Sequence, residues 1–169
     1  MRMTVKKQII TNYQNLLKAH GPGPQAQQYA DQETQFARFA VLYEVDPKMK
    51  SVLDFGCGMA DFCQYIRSQK STARYQGLEL VPEFVELGNK TLAEDAKAQI
   101  NLADIEESAL PQGFDYGVLS GVFNNKMDNN WEFMTTTLGR MFDVCNKGIA
   151  FNAMSTYVDY QDPTLFYTN

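Results

Sequence analysis

The sequence has few of the residues on which disulfide-rich, metal-bound or membrane-embedded proteins depend. It contains three cysteines and one histidine among 169 residues, and Cys57, Cys63 and Cys145 have neither paired nor metal-ligand spacing. No apolar run approaches the roughly 20 residues of a membrane span, and Met1–Thr4 lacks the apolar core of a signal peptide. We therefore expect a cytoplasmic protein with reduced thiols, no metal and no membrane partner.

Positive charge is also scarce. The chain has 15 lysines and arginines against 20 aspartates and glutamates, which gives a formal net charge of -5. Proteins that bind a nucleic-acid backbone show the opposite balance, so we expect no nucleic-acid partner. With 44% hydrophobic and 21% charged residues, the composition is that of an ordinary globular chain. Its length is enough for one domain with a core of its own.

One stretch carries the most informative local pattern. Residues 51–62 read Ser-Val-Leu-Asp-Phe-Gly-Cys-Gly-Met-Ala-Asp-Phe, an apolar strand followed by glycines at Gly56 and Gly58 and then by a helix. The glycines permit positive φ angles and bring a ligand against bare backbone. The helix directs its free N–H groups to the same place. The stretch therefore predicts a ligand-binding turn.

The pattern does not favour a dinucleotide as that ligand. The dinucleotide fingerprint G-x-G-x-x-G requires glycine at the position where this chain has Asp61. Asp54, two residues before the first glycine, would repel a pyrophosphate but attract an ammonium group. A nicotinamide-dependent oxidoreductase is therefore a disfavoured alternative, and the pattern favours a cationic or zwitterionic ligand.

Val52–Gly58 resembles the first motif of class I S-adenosylmethionine-dependent methyltransferases, and the segments from about Arg38 to Met154 follow the order of that family. One departure is Ala60, which stands where the family usually has a third glycine. The resemblance implies an α/β fold with a doubly wound, Rossmann-like, mostly parallel sheet in a three-layer sandwich. It also implies S-adenosyl-L-methionine as cofactor, with S-adenosyl-L-homocysteine as product, and methyl transfer to an oxygen or nitrogen of a small molecule.

The expected cofactor residues stand at strand ends, where ligands bind in parallel open sheets. Glu79 ends the second strand, at the spacing from Asp54 that places a ribose in βαβ units. The resemblance implies that Asp104 contacts the adenine and that Arg38 pairs with the methionine carboxylate of the cofactor. A turn-forming Asp104 and a solvated Arg38 are the alternatives. The full expected set is Arg38, Asp54, Gly56, Cys57, Gly58, Asp61, Phe62, Glu79, Leu80, Asp104, Ile105, Ser120 and Gly121.

Hydrophobic periodicity and breaker residues predict the elements and their grouping. Residues 1–46 are expected to form a helical segment that packs over the cofactor cleft, and residues 47–169 the cofactor-binding domain. The predicted helices are Thr4–Ala19, Asp31–Val45, Asp61–Gln69, Pro82 to about Lys97, and about Trp131 to Cys145. The predicted strands are Ser51–Phe55, Tyr75–Leu80, Ala98–Leu102, Phe114–Ser120 and Gly148–Met154.

The acceptor side is less marked in the sequence. The loop after the fourth strand offers Asn124, Lys126 and Trp131 as acceptor-pocket candidates, with an ordinary connection and a core anchor as the alternative. The sequence nominates no clear general base, and the possible ones are Tyr157, Asp128 and His20. His20 follows a helix end, where capping or solvent exposure is the alternative to catalysis.

The fifth strand raises a question about partners. The family's sheet usually has two more strands beside it, and without them an apolar edge would stand unprotected, which natural proteins avoid. We expect a homodimer or a second chain to cover this edge, or the aromatic tail 155–169 to cover part of it. The same observation motivates a second alternative function, a non-catalytic cofactor-binding or partner protein.

Overall fold

The computed structural model describes residues 3–104 and 108–169. The helices are α1 (Met3–His20), a short 3-10 helix (Pro24–Gln27), α2 (Gln32–Tyr43), α3 (Asp61–Ser68), α4 (Pro82–Thr91) and α5 (Asn130–Val144). The strands are β1 (Ser51–Phe55), β2 (Arg74–Glu79), β3 (Ala98–Leu102), β4 (Phe114–Leu119) and β5 (Cys145–Phe151). The predicted α/β fold is confirmed. Within the described part of the chain, no helix has the length and apolar character that a membrane crossing needs.

The five strands form one sheet in the order β3-β2-β1-β4-β5, and every neighbouring pair is parallel. The order runs outward from β1 to β3 and then reverses, so that β4 lies on the other side of β1. In such sheets a crevice opens at the carboxyl ends of the strands beside the point of reversal. The topology therefore places a candidate site at the ends of β1, β2 and β4.

Alternating side chains of β1 divide the core between the two faces of the sheet. Val52 lies in a buried cluster with residues of α2 and α3, including Phe39 and Phe62. Leu53, on the opposite face, lies in a second buried cluster with Met141 of α5. Both faces of β1 are thus covered by helices, as the three-layer prediction requires.

Most of the predicted boundaries agree with the structure within a few residues. Asp31 caps α2 as expected, because its carboxylate accepts a hydrogen bond from the Thr34 N–H at 2.7 Å. The prediction for α4 was wrong at its end, since the helix stops at Thr91 and not near Lys97. The connection from α4 to β3 passes through Asp95. The Asp95 carboxylate accepts hydrogen bonds from Arg67 Nε at 2.6 Å and from the Lys97 N–H at 3.0 Å.

The prediction for β5 was also shifted. The strand begins at Cys145 and ends at Phe151, three residues ahead of the predicted Gly148–Met154. Cys145 already has extended φ and ψ angles directly after α5, so the helix passes into the strand without a loop. Sequence patterns locate a strand by its apolar run, and the polar start of this strand conceals its first residues.

The outer edge of β5 has no partner strand among the described residues. The tail folds back over the loop after β4 instead. There the Lys126 N–H donates to the Thr164 carbonyl at 3.0 Å, and the Phe166 N–H donates to the Asn124 carbonyl at 2.8 Å. The tail therefore covers the loop that follows β4 and does not pair with the edge of β5.

Candidate active site

A cavity of about 130 Å³ lies at the carboxyl ends of β1, β2 and β4. Its lining includes all of the predicted cofactor residues except two. Ile105 lies outside the described residues. Asp61 does not line the cavity, but its carboxylate accepts a hydrogen bond from Nε2 of Gln27, which does. The predicted residues that line it are Arg38, Asp54, Gly56, Cys57, Gly58, Phe62, Glu79, Leu80, Asp104, Ser120 and Gly121.

The turn between β1 and α3 requires its two glycines. Gly56 has φ of 67° and Gly58 has φ of 56°, in the left-handed region that glycine tolerates best. A Cβ atom on Gly56 would lie 2.9 Å from Val122 Cγ2, and one on Gly58 would overlap the Gln27 side chain. Ala60 also adopts a left-handed conformation, with φ of 67°, although it is not glycine. The turn therefore has no room for a side chain at Gly56 or Gly58, where Val122 and Gln27 approach its backbone.

Glu79 joins the end of β2 to this turn by hydrogen bonds. Its Oε2 accepts a hydrogen bond from the Gly58 N–H at 2.8 Å, and its Oε1 accepts from the N–H groups of Leu80 at 2.7 Å and Val81 at 2.9 Å. Burial raises the pKa of Glu79, and the three backbone donors oppose that shift. A carboxylate has about four acceptor positions, so about one remains for a ligand hydroxyl.

Asp54 is a buried carboxyl at the end of β1. Only 2% of the residue is exposed, and its Oδ2 accepts a hydrogen bond from the Tyr75 hydroxyl at 2.7 Å. Burial raises the pKa of Asp54 to about 7, with smaller contributions from Glu79 and Asp61, whereas the Tyr75 bond lowers it. A positive group placed nearby would favour the ionised form.

Helix α2 contributes an amide and a guanidinium to the same cavity. Gln35 is 1% exposed, and neither Nε2 nor Oε1 makes a hydrogen bond with any part of the chain that the structure describes. The amide does lie close enough to Asp61 to lower the pKa of that carboxyl, against the larger effect of burial. Arg38, one turn later, holds its guanidinium 5.1 Å from the centre of the Tyr29 ring. Because buried polar atoms normally have partners, the Gln35 amide points to a ligand.

Comparison with known families identifies the family of this chain. Residues 52–148, more than half of the chain, match the family described as the methyltransferase domain. The chain belongs to this methyltransferase family. The resemblance of Val52–Gly58 to class I S-adenosylmethionine-dependent methyltransferases is thereby confirmed, and the matched range contains the glycine turn, Glu79 and β4.

Individual methyltransferases show the same relationship. Rv1506c of Mycobacterium tuberculosis, named as a methyltransferase, is 29% identical over 113 residues, which are 64% of this chain and 66% of that protein. The S-adenosylmethionine-dependent methyltransferase SibL superposes with a TM-score of 0.62 at 23% identity, over 85% of this chain and 43% of its own. Phosphoethanolamine N-methyltransferase 1 of Haemonchus contortus superposes with a TM-score of 0.71 at 13% identity, over 99% and 39%. This chain therefore spans less than half of each of these two solved enzymes.

The N-terminal segment closes the methyltransferase cavity with contacts that the sequence did not indicate. The Tyr29 and Ser120 hydroxyls are hydrogen-bonded at 2.9 Å, which joins the segment before α2 to the end of β4. Asn125 Nδ2 donates to the Tyr13 hydroxyl at 3.3 Å, and Lys6 forms an ion pair with Asp104. Helix α1 and its connection thus contact residues that follow β3 and β4.

Several lining residues were missed by sequence reasoning, and four polar ones lie in the segment that precedes β1: Tyr13, Gln27, Tyr29 and Gln35. A signal was present for one of them, because Gln35 lies three residues before Arg38 and so on the same helical face. Gln27 gave no such signal, since it follows a cluster of glycines and prolines that predicted only a break in the chain.

Several candidates for the acceptor side do not reach the cavity. Asn124 lines it, but Lys126 and Trp131 do not, and Trp131 is 61% exposed. None of the three possible bases lines it either, and one of them, Tyr157, is 90% exposed. The described residues also contain no group of three or more His, Cys, Asp or Glu side chains placed to hold a metal ion.

Proposed function

We propose that this chain binds S-adenosyl-L-methionine in the cavity and transfers its methyl group to an oxygen or nitrogen of a small molecule. The observation that carries the proposal is the buried, unpartnered amide of Gln35 in a cavity lined by Asp54 and Glu79. The likeness to a phosphoethanolamine N-methyltransferase solved with phosphoethanolamine and S-adenosylhomocysteine supports both the cofactor and a small-molecule acceptor.

The residues present fit such a cofactor by charge and hydrogen-bonding capacity. Asp54 and Asp61 offer carboxylates to an ammonium group. Arg38, Gln35 and the backbone N–H groups that lead into α3 offer donors to a carboxylate. Glu79 has an acceptor position left for a ribose hydroxyl, and Asp104 offers an acceptor to an adenine amine. The bare backbone at the glycine turn permits the close approach that this arrangement needs.

The bound sulfonium supplies an electrophilic methyl group, so the reaction requires no covalent intermediate with the protein. The chain's own contribution is to hold two reactants in line and to exclude water. Tyr13 and Tyr29 close the cavity from the N-terminal side, where the Tyr29 hydroxyl bonds Ser120. Asn152 Nδ2 also donates to the Ser120 hydroxyl, at 3.1 Å, and so fixes the end of β4 beside the cavity.

The acceptor is proposed to lie beyond Ser120, against Asn124, Met127 and Phe133. This part of the lining is apolar or neutral, which fits a small organic acceptor rather than a polymer. The three cysteines are free thiols, a state that the reducing cytoplasm maintains, and we include a cytoplasmic location in the proposal.

Replacement of Gln35 by methionine tests the proposal. The change keeps the volume and removes a buried amide that makes no hydrogen bond of normal geometry but lowers the pKa of Asp61, so the free energy of unfolding should change by no more than about 1 kcal/mol. The affinity for S-adenosylhomocysteine should fall about tenfold, because an amide that bonds the ligand is lost. Isothermal titration and urea denaturation measure the two effects.

Gln69 provides the matched control, because it is exposed and lies outside the cavity. Gln69→Met should leave the affinity for S-adenosylhomocysteine unchanged. An unchanged affinity in Gln35→Met would remove Gln35 from the ligand site. Tight binding of NADH by the wild-type protein without any response to S-adenosylhomocysteine would overturn the methyltransferase proposal as a whole.

The second candidate function is a non-catalytic cofactor-binding or partner protein, favoured by the open edge of β5. The two functions differ in turnover. Methyl transfer to any member of an acceptor panel of amines, phenols and carboxylates supports the enzyme. Cofactor binding without turnover, together with a stoichiometric complex with a second chain, supports the partner protein.

A further inference from the structure

The side chain of Gln27 lies directly over the glycine turn. Its Oε1 accepts a long hydrogen bond from the Met59 N–H at 3.4 Å, beyond the usual range of about 2.7 to 3.2 Å. Its Nε2 donates to Asp61 Oδ2. A Cβ atom on Gly58 would overlap Oε1 and would lie 2.8 Å from the Gln27 Cδ. Gln27 therefore occupies the bare backbone that Gly58 provides.

These two contacts have the polarity of an amino-acid ligand. A carboxylate would accept from the backbone N–H groups that lead into α3, as the Gln27 carbonyl oxygen does. An ammonium group would donate to Asp61, as the Gln27 NH₂ does. One neutral amide thus occupies both kinds of position, with a backbone donor on one side and a carboxylate on the other.

The backbone that carries Gln27 is itself well anchored. Ala26, its neighbour in the 3-10 helix, is fully buried in a cluster with Met59, Val81 and Phe84. The side chain can therefore leave the turn by rotation while the segment stays in place. Tyr29 remains bonded to Ser120 in that case, so the cavity keeps its closing wall.

We propose that Gln27 is an internal substitute for the amino-acid end of the ligand, which must displace this side chain in order to bind. The inference rests on the proposed function, since it assumes a ligand with a zwitterionic end. It makes Gln27 a residue that lowers apparent affinity, in contrast to Gln35, whose unpartnered amide raises it. When the ligand-competent form is a minority, apparent affinity falls in proportion to its population.

Gln27→Ala tests this directly, because the two possible roles of the residue predict opposite signs. If Gln27 competes with the ligand, the variant should bind S-adenosylhomocysteine about tenfold more tightly, with a faster association rate. If Gln27 instead binds the ligand, affinity should fall. Calorimetry gives the affinity, and stopped-flow fluorescence gives the association rate.

Two control variants distinguish displacement of the Gln27 side chain by the ligand from a general loosening of the N-terminal segment. Gln25→Ala changes the same residue type in the same short helix, where the side chain donates to the Ala30 carbonyl. Gln14→Ala releases α1 from Glu83, which its amide contacts at 2.7 Å, without touching the glycine turn. Both should bind S-adenosylhomocysteine as the wild type does.

The outcomes are distinguishable. Tighter binding in Gln27→Ala alone supports the inference. Equal tightening in Gln14→Ala, or weaker binding in Gln27→Ala, overturns it while leaving the proposed function intact. No binding of S-adenosylhomocysteine by any of the four proteins overturns the inference together with the proposed function.

Discussion

The pKa values of acidic residues are shifted in opposite directions at the two ends of the sheet. At the carboxyl ends, burial raises the pKa of Asp54, Asp61 and Glu79. At the amino ends, hydrogen bonds lower the pKa of Asp95, mainly through Arg67, and of Asp115, mainly through the Lys50 N–H. The carboxyl end therefore holds carboxyl groups that are costly to ionise. The amino end holds carboxyl groups whose ionised form is stabilised by hydrogen bonds.

The difference separates structural acids from ligand-binding acids. Arg67 binds Asp95 through Nε and also donates to the carbonyls of Ser71 at 3.1 Å and Ala73 at 2.9 Å. The charged groups of Arg67 and Asp95 at the amino end are thus satisfied within the protein. The carboxyl end keeps the unpartnered Gln35 amide and a buried Asp54. Perturbed carboxyls in a cleft are typical of functional sites, and their unfavourable energy is offset when a ligand binds.

The largest test of this comparison is the pH dependence that Asp54 confers. Its folded pKa of about 7 lies above the ordinary value of 3.8, so the folded state binds this proton more tightly than the unfolded state. Stability from this group is present below about pH 4 and is lost as the pH rises to about 7. The loss is as much as about 4 kcal/mol.

Asp54→Asn should abolish this slope, since asparagine does not titrate. Urea denaturation between pH 4.5 and 7.5 measures the free energy of unfolding of both proteins. Asp115→Asn is the control at the other end: it should leave the slope in this pH range unchanged, because the pKa of Asp115 is lowered from 3.8 and the group titrates only at more acid pH. An unchanged slope in Asp54→Asn would mean that Asp54 does not titrate in this range, whereas a smaller remaining slope would belong to Asp61 and Glu79, whose pKa values are also raised.

The next largest effect should come from Glu79→Ala. Three backbone N–H groups, two of them buried, lose their acceptor, which should lower the free energy of unfolding by about 3 kcal/mol. The affinity for S-adenosylhomocysteine should fall at least about tenfold, since the turn and the ribose acceptor are lost together.

Glu79→Gln helps to separate the two roles of this side chain. Glutamine keeps the shape of the side chain and one acceptor oxygen. Glu79→Gln should therefore recover part of the stability lost in Glu79→Ala but not the full affinity for S-adenosylhomocysteine. If both variants bound the ligand as the wild type does, Glu79 would be a structural residue like those at the amino end.

Arg67→Ala probes the amino end with a smaller expected effect. The side chain is 25% exposed, so its three bonds are partly screened, and we expect a loss of about 2 kcal/mol in the free energy of unfolding. The affinity for S-adenosylhomocysteine should not change. Arg67→Lys should lose nearly as much stability, because a single ammonium cannot reproduce the fork of the guanidinium. A large loss of affinity in Arg67→Ala would contradict the separation of the two ends.

The sequence predicted the carboxyl end well where the signal is local. The glycine turn lies between β1 and α3, and Glu79 ends β2, because a strand, a tight turn and a helix follow one another along the chain. Parallel strands then bring their carboxyl ends together without further information. The predictions of which residues contact the cofactor remain open to the experiments above.

The sequence could not predict what closes the site. Gln27 carries no pattern that predicts its half-buried position over the glycine turn, which is set by the angle of the N-terminal segment to the rest of the chain. That angle depends on contacts distant in sequence, such as Tyr13 against Phe84, whose ring centroids are 5.7 Å apart. The end of α4 was mispredicted for a similar reason. The segment after α4 is held by a hydrogen bond from Arg67, a residue of α3, to Asp95.

The smallest expected effect compares two non-glycine residues in left-handed conformations, one at each end. Ala60, with φ of 67°, is fully buried in the turn, and Lys70, with φ of 64°, is exposed after α3. Glycine relieves about 1 kcal/mol of strain at either position. At Ala60 the loss of a buried methyl, about 0.8 kcal/mol, cancels most of that gain. Lys70→Gly should therefore raise the free energy of unfolding by up to about 1 kcal/mol, whereas Ala60→Gly should change it by less than about 0.5 kcal/mol. A clear gain in Ala60→Gly, measured by urea denaturation, would show that the turn stores strain beyond what its packing offsets.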